Sequence, residues 1–144
     1  MCMVLYLATN SLADYPVAES LRAHPVSPAE RPLCFRSLTF DRVLEVASKE
    51  GCACAFAIAW REGPALSYDA LAAEDPEEAA RLDRDRAAIL AIIDSFLESG
   101  PVDVYSCWAE EEDQPPDEHI ETDLASLRRE WWLLRERRVV RVNG

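Results

Sequence analysis

A chain of 144 residues, 49% apolar and 29% charged, has the length of one domain, residues 1–144, and an ordinary globular composition. Its formal net charge of −12 opposes binding to nucleic-acid phosphates and to anionic membranes. No apolar run approaches the roughly 20 residues that cross a bilayer.

Residues 1–10 have no basic residue ahead of their short apolar run, so they read as a first strand rather than a leader. Cysteines stand at 2, 34, 52, 54 and 107. Without a secretion signal they are expected as reduced thiols of a cytoplasmic protein. Lys49 is the one lysine among 15 cationic residues. Such a preference for arginine accompanies GC-rich genomes and suggests a bacterial source.

Residues 2–8, Cys-Met-Val-Leu-Tyr-Leu-Ala, are apolar on both alternating faces, as in a strand buried within a sheet. Residues 9–32 carry Pro16, Pro25, Pro28 and Pro32 and are expected as a long loop, with two helical turns at most over 17–23. His24 lies in it as a surface residue. Residues 33–40 read as a second strand and 42–47 as a third, although Phe40, Val43, Leu44 and Ala47 also fit a helical face. After a turn at Gly51, Cys54, Phe56, Ile58 and Trp60 alternate with alanines, which predicts a strand over 54–60.

Residues 61–74 connect it, through Gly63 and Pro64, to the clearest element. Asp75 is a good N-cap, Pro76 suits the first helical position and Glu78 completes a capping box. Leu82, Ile89, Ile93 and Phe96, flanked by Leu90 and Leu97, form one stripe of a helix over 76–99 that Gly100 and Pro101 end. Glu77–Arg81 and Arg81–Asp85 are spaced to support its exposed side. Residues 102–108 follow as a strand with Val102, Val104 and Trp108 inward. Residues 110–123, with His119, read as an acidic solvated loop, and 124–130 as a short helix. Residues 131–134 and 138–142 are expected as a closing hairpin, because Val139, Val140 and Val142 are β-branched. One helix over 123–138 competes with that reading. The fold expected is α/β, or in detail α+β: a mixed, mainly antiparallel sheet of roughly five to seven strands with the 76–99 helix on one face.

Chemistry concentrates at Ser-Lys-Glu-Gly-Cys-Ala-Cys-Ala-Phe, residues 48–56. Two thiols two residues apart can bind a borderline or soft metal such as zinc, and two further ligands close a tetrahedral site. Cys2 and Cys107 are the candidates to join Cys52 and Cys54. Cys2 begins one strand and Cys107 ends another, so antiparallel pairing would bring them to one edge. A second reading is thiol–disulfide chemistry with Cys52 as the attacking thiol and Lys49 lowering its pKa. The plain alternative is buried, inert cysteines in a non-catalytic module whose long loop and acidic segment bind a protein partner. No glycine-rich phosphate loop, His-Glu-x-x-His or Gly-x-Ser-x-Gly occurs, and no reaction is named by the motifs.

Residues 43–56, Val-Leu-Glu-Val-Ala-Ser-Lys-Glu-Gly-Cys-Ala-Cys-Ala-Phe, together with Met1, Cys2, Leu5 and Tyr6, with Tyr105, Ser106, Cys107 and Trp108, and with the aromatic C-terminal segment, resemble a family of small uncharacterised bacterial proteins. That family has a strand followed by Ser-x-Glu-Gly-Cys-x-Cys-x-Phe. It carries glycine where this chain has Ala53 and Ala55. The resemblance singles out Cys2, Cys52, Cys54 and Cys107 over Cys34 and implies no activity.

The arginines at 128, 129, 135, 137, 138 and 141 are expected to offset the acidic segment, within the fold or across a homodimer. Adjacent Trp131 and Trp132 point to opposite faces of a strand. One of them then needs a second apolar surface, which favours the symmetric dimer.

Overall fold

A computed structural model of the chain describes residues 2–36, 39–49, 51–58 and 68–144. The doubly apolar opening segment forms β1 (Met3–Thr9), in the middle of a six-stranded sheet. Both neighbours, β3 (Arg42–Ser48) and β4 (Val102–Trp108), run antiparallel to it, with Leu5 opposite Val46 on one side and Ser106 on the other. Outside β3 lies β2 (Leu21–Pro25), antiparallel. Outside β4 lies β6 (Arg138–Asn143), antiparallel, and then β5 (Glu118–Asp123), parallel to β6. The sheet is mixed and mostly antiparallel, as expected.

The long helix is α3 (Pro76–Leu97). Asp75 accepts the Glu78 N–H at 3.0 Å, so the N-cap forms as its sequence requires. Ile89, Ile92, Ile93 and Phe96 are buried against Leu5, Leu7, Leu44, Val46, Val104 and Val140 of the sheet, and Leu82 is buried nearer the start of the helix. Each contributes about 1.5–3 kcal/mol of apolar burial before entropy costs. Gly100, at φ 131°, ends the helix by returning its N–H to the Leu97 carbonyl at 3.3 Å. Arg81 pairs with Glu78 and with the buried Asp85, at 2.9 Å, rather than with Glu77.

The other sheet face is also covered, which is why nearly all of β4 is buried. Asp103, Tyr105 and Cys107 are enclosed, not exposed opposite the core side. Tyr6, Ala8, Val43, Tyr105, Cys107 and Val139 meet Val26 and Phe35 there. Phe35 comes from α1 (Leu33–Arg36), where a strand was expected. Pro32 precedes this turn of helix and accepts the Phe35 N–H at 2.9 Å, and the single buried residue Phe35 meets the rings of Phe40 and Tyr105 edge-on. Alternation over 33–36 therefore has no second face to serve. Residues 37 and 38 of the expected strand lie outside the described residues.

Three further expectations are corrected. The proline-marked stretch over 9–32 contains β2, an edge strand with one buried side chain, Leu21, and its proline at the end, where an edge tolerates it. The connection over 61–74 contains α2 (Tyr68–Glu74), while residues 61–67 lie outside the described residues. The terminal hairpin does not form. Glu118–Asp123, placed in the acidic loop by the sequence, pairs with β6 in parallel instead. A parallel pair needs a crossover, and α4 (Leu124–Arg129) with the 3₁₀ turn Trp131–Leu133 supplies it. In that turn Trp131 and Leu134 are buried at a spacing of three while Trp132 is 52% exposed.

The C-terminal arginines hold this edge together within the chain. Arg141 pairs with Asp103 across β4 and β6, through two bonds of 2.8 and 2.9 Å, and Arg138 reaches Glu118 at 2.8 Å. Arg137, only 5% exposed, enters the acidic segment, donating to the Gln114 side chain and the Pro115 carbonyl and lying 3.3 Å from Asp117. With Arg137, Arg138 and Arg141 engaged inside the fold, the exposed Trp132, Arg128 and Arg129 are what remains of the motive for a dimer. Arg137→Ala should cost about 2–3 kcal/mol, below the 3–5 of a fully buried pair because its acid partners reach solvent. Denaturant melts of the variant read this directly, and an unchanged midpoint would mean that the segment is held by other contacts.

Candidate functional site

Beyond β3 the chain turns tightly. The Gly51 N–H bonds the Ser48 carbonyl at 3.1 Å, and the Ser48 N–H bonds the Cys52 carbonyl at 3.4 Å. The next residues, Ala53–Phe56, are a 3₁₀ turn, not the start of a strand over 54–60. Its three-residue period places Ala53 and Phe56 inward and leaves Cys54 exposed. Ala57 follows at φ 51°, a left-handed conformation that disfavours continued extension there. Ala59 and Trp60, the end of the expected strand, lie outside the described residues.

Four elements grip this loop at four positions. Arg22 donates to the Gly51 carbonyl at 3.3 Å, and the Met3 N–H donates to Cys54 Sγ at 3.2 Å. Arg81 of α3 donates to the Ala55 carbonyl at 3.1 Å, and the Trp131 indole N–H donates to the Phe56 carbonyl at 2.8 Å. The thiols are thus displayed on a fixed piece of backbone at the start of β1.

Cys2, Cys52 and Cys54 come together there. Burial raises the Cys52 pKa, but hydrogen bonds from the thiol and backbone N–H of Cys54 and from the Cys2 thiol outweigh it, so Cys52 is held below its ordinary value. Cys54 is raised, first by burial and then by the neighbouring Cys52, although the Met3 N–H pulls the other way. Lys49 takes no part in this; its ammonium lies 3.9 Å from Glu19.

Cys107 does not join the group. It is fully buried on the second sheet face beside Cys34, with Tyr6, Phe35 and Tyr105. Burial pushes both of these thiols up to about 12. The register explains the separation: Cys107 stands opposite Val4, two residues into β1 from Cys2. Among the described residues no group of three or more His, Cys, Asp or Glu side chains is arranged to hold a metal ion. The expected ligand set Cys2, Cys52, Cys54 and Cys107 is therefore divided between two places. His119 is exposed on β5, and exposed His24 lies 3.7 Å from Glu45.

Cys2 and Cys52 open into a cavity of about 260 Å³, also lined by Val4, Glu45, Ala109 and Glu112. Glu45 and Glu112 are walls of a second cavity as well, about 360 Å³, which reaches Tyr6 and His24. The Tyr6 hydroxyl donates to Glu112 at 2.7 Å. These two carboxylates have no local mark in the sequence. Glu45 stands mid-strand opposite Tyr6, and Glu112 is one of several acids in its segment. No protein-family model, curated protein or solved structure matches this chain.

Proposed function

We propose that the chain performs thiol–disulfide exchange, with Cys52 as the attacking thiol. The observation that carries this is the gathering of thiols: Cys2 at the head of β1 meets Cys52 and Cys54 on a loop held by four hydrogen bonds, and Cys2 and Cys52 open into one cavity. In the first step the Cys52 thiolate attacks one sulfur of a disulfide. That S–S bond breaks, a mixed disulfide forms, and the leaving thiolate takes a proton from water. In the second step Cys54 or Cys2, once deprotonated, attacks the Cys52 sulfur and expels the second thiol. The net change is two protein thiols oxidised to one disulfide and one external disulfide reduced to two thiols. Metal binding has less support, since Cys107 lies elsewhere and no ligating group is arranged for an ion among the described residues.

Iodoacetamide alkylation across pH, read by peptide mass spectrometry, tests the assignment. Cys52 should alkylate with an apparent pKa below the roughly 8.5 of an ordinary thiol, while Cys34 and Cys107 stay unmodified in the folded protein. A Cys52 profile no different from that of a free thiol removes the exchange reading. Stoichiometric zinc in protein purified without a histidine tag, lost in Cys52→Ser, would replace it with the metal reading.

A further inference from the structure

Resting on the exchange chemistry above, we propose that the disulfide attacked by Cys52 is a small cationic one, whose ammonium or guanidinium group is received by Glu45 and Glu112. The cavity into which Cys2 and Cys52 open is lined by both carboxylates and, among the described residues, by no basic side chain. Its volume of about 260 Å³ suits a short thiol substituent rather than a folded surface.

Both acids are fixed in place. Glu45 projects from β3 where that strand stands opposite Tyr6. Glu112 is held by the Tyr6 hydroxyl at 2.7 Å, and its carbonyl accepts the Leu33 N–H at 2.8 Å. The Tyr6 pKa is raised first by burial, then by Glu112 and Glu45, so the fields of the two carboxylates meet at this hydroxyl. They also form the shared wall of the two cavities. A cationic group entering the cavity of Cys2 and Cys52 therefore meets two carboxylates in its wall, whereas the second cavity also carries Arg36 and His24. An anionic disulfide meets the same charges as repulsion. The acids thus supply selectivity, and the thiols supply the chemistry.

Exchange rates at Cys52 with cystamine, hydroxyethyl disulfide and dithiodiglycolate test this at one pH. Each rate is divided by that of the same disulfide with N-acetylcysteine amide, which removes intrinsic reactivity. Cystamine should exceed dithiodiglycolate by about tenfold or more at low salt, the lower end of electrostatic steering. The ratio should fall toward one in 1 M salt, where the screening length is about 3 Å. Glu45→Gln combined with Glu112→Gln should lower it in the same way, and glutamine at 112 can still accept from Tyr6. Glu77→Gln with Glu98→Gln, the same change of net charge on exposed acids of and beside α3, should leave the ratio unchanged, and Glu112→Gln alone serves if the double variant folds poorly. Normalised rates that do not differ between the cationic and anionic disulfides, with the neutral one reacting at Cys52, overturn the selectivity and leave exchange standing. No reaction of any of the three at Cys52 removes exchange itself, and this inference with it.

Discussion

Ile93→Asp should leave the chain unfolded. Ile93 is fully buried at the centre of the α3 stripe, between the helix and the sheet. The substitution forfeits about 1.5–3 kcal/mol of apolar burial. It also buries a carboxylate among side chains with no partner for it, at several kcal/mol after relaxation. A domain of this size is stable by only about 5–15 kcal/mol, so the sum takes most or all of the margin. Loss of the cooperative thermal transition and aggregation on expression are the expected results. A melting temperature equal to that of the unaltered chain would show that α3 does not pack as described.

The largest expected effect on activity belongs to Cys52→Ser. A serine hydroxyl is not ionised near neutral pH, so exchange at the cluster should fall on the order of 100-fold or more, because the thiolate is the attacking species. The variant Cys2→Ser with Cys54→Ser should behave differently. Its hydroxyls can still donate to the Cys52 sulfur, so the first step survives, but no second thiol is present to expel the product. The mixed disulfide should then accumulate at Cys52, where intact-mass analysis detects it. Undiminished exchange in Cys52→Ser would place the reactive thiol elsewhere.

The sequence displayed the elements whose faces are all used. Residues 3–8, the part of the doubly apolar run that lies in β1, are apolar on both sides because the sheet is covered on both sides, and α3 carries its own cap, stripe and stop. It concealed the elements that use one side chain at a time. Leu21 alone marks β2, Phe35 alone marks α1, and neither makes a period. Residues 131–134 misled for a related reason. Trp131 and Leu134 fit a helical spacing, yet the following valines are strand formers, and the change of period falls within the crossover. At the site, Cys52 and Cys54 were visible as a pair and Cys2 by its place at the head of β1. The separation of Cys107 follows from register, which local sequence does not state. Glu45 and Glu112 matter through cavities whose walls come from β1, β3 and the segment after β4.

The loop that displays the thiols is fastened by residues far away along the chain. The partner of Ala55 is 26 residues off, that of Cys54 is 51 and that of Phe56 is 75. Closing such separations costs loop entropy that only the assembled sheet and helix offset. The seat of this loop against β1, α3 and Trp131 therefore exists only in the assembled fold. A chain still emerging from the ribosome, or one that has opened, presents five ordinary cysteines. On the proposed exchange chemistry, gathering Cys2 with Cys52 and Cys54 only in the finished fold would spare the unfinished polypeptide from cross-linking through that cluster.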